Sequence, residues 1–92
     1  MLWALVHLEK GCHVAPHSHV SEQIAYVISG RARWTFGNPG EANYSTQETS
    51  TGDVILLPSM LVHSVEVLED THVLDVLSPP GAMGVDNQEN TA

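Results

Sequence analysis

The sequence predicts a single all-β domain. No long segment places apolar residues at the i, i+3, i+4 and i+7 spacing of an amphipathic helix. Instead, short runs rich in Val, Ile and Leu are separated by turn residues, as in Ser29-Gly30 and Thr51-Gly52-Asp53. The length of 92 residues limits the chain to one domain with a small core.

Seven strands follow from this pattern, at about residues 2–9, 12–15, 23–29, 31–36, 54–57, 62–68 and 72–77. The polar segment 37–50 contains Gly, Pro and Asn, and we expect a surface excursion with room for one short strand. Residues 1–80 are predicted to form the domain and residues 81–92, which lack apolar periodicity, a flexible tail. His7 and His72 are expected to be half-buried strand residues. Four large aromatic residues are expected to pack in the core or at its rim: Trp3, Tyr26, Trp34 and Phe36.

Composition excludes several classes of function. Eleven acidic residues against three basic ones give a formal charge of −8, so no basic surface is expected to bind nucleic acid. The apolar runs are too short to span a bilayer, which argues against a membrane protein. A single cysteine and no export signal favour a cytoplasmic protein.

The segment HVAPHSHVSEQ concentrates three histidines, and two of them carry the first hypothesis about function. In an extended chain the side chains of His17 and His19 project to the same side, so the H-x-H spacing suits two ligands of one metal ion. A complete site needs further donors. Glu22 and Gln23 are the nearest, and His63 at the start of an apolar strand is the next.

Asp75 interrupts the apolar alternation of HVLDVLSPP. A carboxylate inside a barrel is costly unless it is paired or used, so this residue is a candidate catalytic group. The alternatives are that it points to solvent or accepts a structural hydrogen bond.

Two spacings taken together resemble the signature motifs of the cupin superfamily. From Gly11 to Gly30 the chain reads G-x5-H-x-H-x3-Q-x6-G, and from Gly52 to His63 it reads G-x5-P-x4-H. The resemblance implies a double-stranded β-helix, a jelly-roll-like barrel, that binds a metal through residues of both motifs. The chain departs from the family at Gln23, where the usual ligand is an acid, and at Met60, where the second motif has glycine.

Within that superfamily, HSHVSEQIAYVISG and VHSVEVLEDTHVLDVLSPP are similar to the pectin-degradation cupins of the KdgF family. That family converts 4,5-unsaturated uronate monosaccharides to their linear keto form. The resemblance implies a divalent transition metal (Zn, Ni, Mn or Fe, not distinguished by these ligands) and a general acid/base at Asp75. It implies these metal ligands: His17, His19, Gln23 and His63.

A neutral amide ligand leaves the ion's charge uncompensated, which suits a small anionic substrate. However, Gly81 stands where the family has a basic residue, and this favours an alternative hypothesis, a non-catalytic or regulatory cupin that binds a small molecule. A second alternative is a metal-dependent dioxygenase. Family members normally have a longer segment before the first motif. Either strand exchange in a dimer completes the barrel or an N-terminal portion is absent from this sequence, and of the two we expect a homodimer.

Overall fold

The computed structural model describes residues 1–79 and 88–90. These residues contain no helix long and apolar enough to cross a membrane. They form nine strands: β1 (Leu2–Leu8), β2 (Cys12–His17), β3 (Glu22–Ser29), β4 (Arg31–Phe36), β5 (Ser45–Ser50), β6 (Val54–Leu57), β7 (His63–Val67), β8 (Thr71–Ser78) and β9 (Gln88–Asn90).

The strands form two antiparallel sheets that enclose the core. The four-stranded sheet has the order β1-β8-β3-β6, and the five-stranded sheet has the order β5-β4-β7-β2-β9. The predicted all-β fold is confirmed as a jelly roll, and every predicted strand is present within two residues of its expected bounds.

Alternation along each strand places the core between the sheets. In β3, for example, Ala25 and Val27 are fully buried whereas Ile24 and Tyr26 are exposed, because successive side chains point to opposite faces. Most of the buried apolar residues of both sheets pack into one cluster that includes Trp34, whose indole nitrogen donates to the Thr49 hydroxyl at 2.8 Å. The buried polar residues include Gln23, His63 and Asp75.

The segment 37–50 contains the short strand for which the sequence left room, since β5 pairs with β4 along its whole length. Most of the expected tail, residues 81–87 and 91–92, lies outside the described residues. Within it, β9 pairs with β2, a strand that the composition of the segment did not predict.

The turn between β3 and β4 depends on a residue without a side chain. Gly30 has a φ of +104°, and a Cβ at this position would overlap the Asp70 carbonyl oxygen and the Thr71 hydroxyl. Glycine is therefore required here for space as well as for backbone conformation.

An irregularity in β2 decides which histidines face the interior. Val14 pairs with Val65 and His17 pairs with His63, so one extra residue lies in β2 between these pairs. Such a bulge reverses the alternation of the side chains that follow it. As a result Val14 and His17 both face inward, whereas His13 lies beside Glu66 on the outer side of the sheet.

Two expectations about exposure are wrong. His7 and His72 are exposed, not half-buried, and their rings stack on the outer face of the four-stranded sheet with centroids 4.5 Å apart. Trp3 and Tyr26 lie exposed on the same face instead of packing in the core. Both errors have one cause, which is that the outer face of this sheet is apolar and has no layer covering it among the described residues.

Candidate metal centre

Three histidines converge at one end of the interior. His17 ends β2, His63 begins β7, and His19 lies in the loop that leads to β3. Their candidate ligand atoms lie within 4.8 Å of one another. The two residues of the H-x-H spacing therefore do lie close together, but not as neighbours on one strand face. His17 is at the end of β2, and His19 is in the loop that follows it.

Each of the three rings is held by a main-chain carbonyl. The Nδ1 atoms of His17, His19 and His63 donate to the carbonyl oxygens of Ala15, Ser21 and Leu61, each at 2.8 Å. A carbonyl can only accept, so in each neutral ring Nδ1 carries the proton and Nε2 carries the lone pair. This is the arrangement that orients metal-ligating histidines and fixes their tautomer.

Gln23 brings an oxygen to the same place. Its side chain is buried in β3, its Oε1 lies 3.1 Å from Nε2 of His19, and its Nε2 donates to Oδ1 of Asp75 at 2.8 Å. Glu22 is exposed on the opposite face of β3. Of the two donors that the sequence left open, the structure therefore places Gln23, and not Glu22, beside the histidines.

The contact between His19 and Gln23 shows why this end of the interior suits a cation. With the His19 proton on Nδ1, the facing atoms Nε2 and Oε1 are both acceptors, and two lone pairs 3.1 Å apart repel. A positive charge between them, from a proton or a metal ion, removes that repulsion. Two ligands that each bind one ion at about 2.1 Å lie about 3–4 Å apart, close to the spacing seen here.

Asp75 lies inside the protein on β8. The residue is 5% exposed, and the residues directly across from it in β1 and β3 are Ala4 and Ala25, whose small side chains leave space beside the carboxylate. Burial raises the pKa of Asp75 to about 6, although the hydrogen bond from Gln23 and the charge of His19 lower it. Of the alternatives that the sequence left open, the carboxylate faces the interior and accepts a hydrogen bond.

The electrostatics of His63 favour a neutral ring. Burial lowers the pKa of His63, the hydrogen bond to Leu61 raises it, and the charges of His17 and His19 lower it, so that the resulting pKa is about 4. At neutral pH the ring is therefore unprotonated at Nε2, which is the form that binds a metal ion.

A cavity of about 30 Å³ lies beside these groups. Its polar end is lined by His17, Gln23, His63 and Asp75, and its other walls are side chains of the apolar core, with Trp34 the largest. A space of this size holds one or two water molecules or a single polar group of a ligand, not a sugar ring.

The turn before β7 joins two of the histidines. The main-chain nitrogen of Met60 donates to the carbonyl of His19 at 2.8 Å, and Leu61 accepts from His63. Met60 has a φ of +65°, the left-handed region that favours glycine, which explains why glycine is usual at this position of the motif.

The residues present fit a divalent transition metal. Three imidazole nitrogens and an amide oxygen are brought together, their rings are oriented by backbone acceptors, and a buried carboxylate fixes the amide. Sequence reasoning missed the three carbonyl partners and the bond between Gln23 and Asp75. No residue pattern could have revealed them, because the carbonyl partners depend on the bulge in β2 and on the loops around the site, and the bond between Gln23 and Asp75 depends on the pairing of β3 with β8.

Comparison with known proteins is consistent with this arrangement. The sequence profile described as Cupin domain (Cupin_2) matches residues 4–78. An uncharacterised protein of Streptomyces coelicolor is 31% identical over 74 residues, which are 79% of this chain and 65% of that protein. The chain therefore spans just under two thirds of the length of this curated relative.

Solved structures show the same likeness. KdgF from Halomonas sp. superposes with a TM-score of 0.72 at 30% identity, covering 86% of this chain and 69% of that one. Oxalate decarboxylase of Bacillus subtilis, a protein with Mn(II) centres, superposes with a TM-score of 0.73 at 30% identity, covering 82% of this chain and 20% of that one. With most of its length matched by the Cupin domain profile, the chain belongs to the cupin superfamily and has KdgF-like relatives.

Proposed function

We propose that this cupin is a metal-dependent enzyme that converts a 4,5-unsaturated uronate monosaccharide to its linear keto form. The observation that carries the proposal is the chain of contacts from Asp75 through Gln23 to His19, which places a buried carboxylate beside a candidate metal centre in one cavity. The resemblance to the KdgF family supplies the reaction and the substrate class.

In this proposal the metal ligands are His17, His19, Gln23 and His63. A bound divalent ion supplies Lewis acidity that stabilises negative charge on a substrate oxygen. The protein's part is to hold neutral donors in place: three backbone carbonyls fix the rings, and Asp75 fixes the amide so that its oxygen faces His19. Because none of these ligands is anionic, the site retains positive charge that attracts a carboxylate.

Asp75 is the proposed general acid/base. Ring opening requires loss of the proton on the anomeric hydroxyl, cleavage of the bond between C1 and the ring oxygen, and formation of a C1 aldehyde and a C5 enolate. Protonation of C4 then gives the C5 ketone, so the overall change is an isomerisation. Gln23 occupies Oδ1 of Asp75, and Oδ2 is therefore the oxygen that would accept and return the proton.

The size of the cavity limits how a substrate could bind. Because the space beside Asp75 admits only a single polar group, the sugar ring would lie outside it, next to the loop of His19 and the turn of Met60. Val20 and Met60 are exposed there and offer apolar contacts to the face of a ring.

The proposal is tested by following the ultraviolet absorbance of a 4,5-unsaturated uronate monosaccharide. Metal-loaded protein is expected to accelerate its loss over the spontaneous rate, and chelator-treated protein and Asp75→Asn are expected not to. Glu22→Gln is the matched control, because it removes an exposed carboxylate next to Gln23 in sequence but on the opposite face of β3.

Metal content measured on the same samples separates the roles of the residues. Gln23→Ala should retain less metal after dialysis, whereas Asp75→Asn should retain enough for its loss of turnover to be a loss of proton transfer. Unchanged metal content in Gln23→Ala would reject the ligand assignment. No acceleration by wild-type protein with metal bound would reject the enzyme and favour the binding or oxygenase hypotheses, which oxygen uptake distinguishes.

A small anionic substrate, a homodimer and a cytoplasmic location complete the proposal. They remain predictions from the sequence.

A further inference from the structure

The loop between β2 and β3 holds one histidine of the candidate metal centre without the support of a strand. His17 ends β2, His63 begins β7, and the two are paired in the ladder between those strands. His19 lies in the loop, where its main-chain carbonyl accepts from the nitrogen of Met60 and its ring donates to the carbonyl of Ser21. The orientation of the His19 ring therefore depends on where the Ser21 carbonyl lies.

The carbonyl that orients the His19 ring differs from the two that orient the other rings. Ala15 and Leu61 each precede the histidine that they hold by two residues. Ala15 belongs to the paired strand β2, and the main-chain nitrogen of Leu61 donates to the carbonyl of Pro58 at 3.2 Å in the turn before β7. Ser21 instead follows His19 by two residues, at the end of the loop.

Ser21 is buried although it belongs to a surface loop. It is 3% exposed, whereas Val20 is 68% exposed and Ser18 is also exposed. A hydroxyl that is removed from water needs a hydrogen-bond partner. The partner is the main-chain carbonyl of Pro79, to which the Ser21 hydroxyl donates. One residue thus makes two contacts, through its hydroxyl with Pro79 and through its carbonyl with the ring of His19.

The bond between Ser21 and Pro79 lies where the ladder between β3 and β8 ends. Glu22 pairs with Ser78, so the next residues along the two segments are Ser21 and Pro79. Proline has no amide hydrogen and cannot donate to a neighbouring strand. The Ser21 hydroxyl supplies a bond between the segments at this point. It thereby joins the loop of His19 to the end of β8, the strand that carries the candidate general acid/base.

We propose that Ser21 is a positioning residue of the metal centre, because its hydroxyl fixes the carbonyl that orients the His19 ring and the metal affinity depends on that bond. Ser21 does not contact the metal or the substrate in this proposal, and it acts through His19. The inference rests on the proposed metal ligands and not on the uronate reaction. A failed activity assay leaves it standing, because its readouts are metal affinity and the state of one ring.

The competing explanation is that the hydroxyl of Ser21 only closes the loop. In that case its removal would lower the stability of the fold equally with and without metal, and the affinity for metal would not change. A hydroxyl that positions His19 affects both the metal affinity and the state of the His19 ring. These two measurements therefore separate the explanations.

The variant Ser21→Ala removes the bond with little other change. It deletes one oxygen atom, and because Pro79 is exposed, water can replace the hydroxyl at its carbonyl. We expect the affinity for Zn²⁺, measured by competition with a chromogenic chelator, to fall about 10-fold. This is the lower end of the ~10–100-fold that follows loss of a ligand's own hydrogen-bond partner, since the hydroxyl acts one bond further from the ligand.

Three further variants make the measurement specific. Ser18→Ala removes an exposed hydroxyl from the same loop, one residue before His19, and should bind Zn²⁺ as tightly as wild type. Ser21→Thr keeps the hydroxyl and should restore most of the affinity. If Ser21→Ala did not fold, Ser21→Cys would take its place, because a thiol is a weak donor. Equal affinities of Ser21→Ala and wild type would overturn the proposal.

The His19 ring gives a second measurement, which needs no metal. In chelator-treated wild-type protein at about pH 8.5, where imidazoles are neutral, long-range proton–nitrogen NMR spectra should show His19 as one tautomer with its proton on Nδ1. In Ser21→Ala its signals should shift toward the average of the two tautomers. The signals of His17 and His63 should not move, because other carbonyls hold those rings.

The two measurements together decide the role of the Ser21 hydroxyl. Lower Zn²⁺ affinity with a changed His19 ring supports the proposal. Lower affinity with an unchanged ring would overturn it, since the hydroxyl would then act by another route. Wild-type protein that bound no Zn²⁺ would overturn the ligand assignment and this proposal with it, whereas bound metal without turnover would overturn only the uronate reaction.

Discussion

Two groups of histidines in this protein differ in what surrounds them. In the interior, His17, His19 and His63 converge on one point, and each ring is fixed by a main-chain carbonyl. On the outside, His7 and His72 stack in parallel with an interplanar angle of 6°, and the Ser29 hydroxyl is the polar contact of that pair.

The difference shows that proximity of imidazoles does not make a metal site. Stacked rings direct their nitrogens side by side, whereas rings tilted by 43–76° to one another, as in the interior group, can direct them to a common centre. The backbone acceptors then fix which nitrogen carries the lone pair.

The largest expected effect concerns metal affinity. His63→Ala should weaken binding of a divalent transition metal by on the order of 100-fold or more, since the loss of a ligand should exceed the 10–100-fold that follows loss of a ligand's hydrogen-bond partner. His72→Ala should change the affinity by less than about 3-fold. Competition with a chromogenic chelator measures both.

Comparable losses of metal affinity in His63→Ala and His72→Ala would contradict the contrast between the interior and exterior histidines. Circular dichroism separates loss of a ligand from loss of fold. His19→Ala serves as a second variant of the interior group, because its ring is less buried than that of His63 and its removal leaves a smaller cavity.

The fold and much of the candidate site were predictable from the sequence. The strands were predictable because alternation and turn residues agree. Spacing alone pointed to His17 and His19, and the resemblance to the cupin superfamily added Gln23 and His63. The facing of His17 was not predictable from alternation alone, because the bulge in β2 reverses the side on which later residues point. Likewise, Asp75 had a predicted role but no predicted partner, since its bond to Gln23 joins residues 52 positions apart.

The outer surface was the least predictable region. Trp3 and Tyr26 are large aromatic residues at the spacing of core residues. Alternation predicts only that each shares a face with the residues two positions away in its strand. Which face is covered depends on a second layer of structure. The pattern of one strand does not say whether such a layer is present.

A second expected effect is smaller and concerns stability of the metal-free protein. The pKa of Asp75 is about 6 in the folded protein and about 3.8 when unfolded, so the folded state binds the proton more tightly. Stability should therefore fall as the pH rises from 4 to 6, then level off. His63 changes in the opposite sense, because its pKa is lowered, and stability from that group rises over pH 4 to 6.5.

The two contributions are separated by Asp75→Asn. In the presence of chelator the variant should be more stable than wild type by up to about 3 kcal/mol at pH 7.5, and the difference should vanish near pH 4. Urea unfolding at several pH values measures it, and His63 cancels because both proteins contain it. Glu22→Gln should show no such trend. If the difference in unfolding free energy between the two proteins did not change with pH, burial would not oppose the ionisation of Asp75.

The smallest expected effect concerns the turn at Met60, whose main-chain hydrogen bonds hold His19 and His63 of the interior group. Met60 holds a φ of +65° and is 59% exposed, so Met60→Gly relieves backbone strain while losing little packing. Relief of ~1–2 kcal/mol, less the ~0.5–1 kcal/mol of chain entropy that glycine adds, should leave a gain of about 1 kcal/mol, or a few degrees in Tm. Metal affinity should not fall, because the main-chain bonds to His19 and His63 remain.

Gly52→Ala is the mirror-image control for that measurement. Gly52 has a φ of +93°, and a Cβ there would meet nothing within 4 Å, so the substitution adds backbone strain without a clash and should cost about 1 kcal/mol. Opposite signs for the two variants would show that strain in the left-handed region governs both turns. A loss of stability in Met60→Gly would instead show that the methionine side chain stabilises the loop of His19 by direct contact. The side chain of Met60, and not only its main chain, would then hold the entrance of the cavity in place.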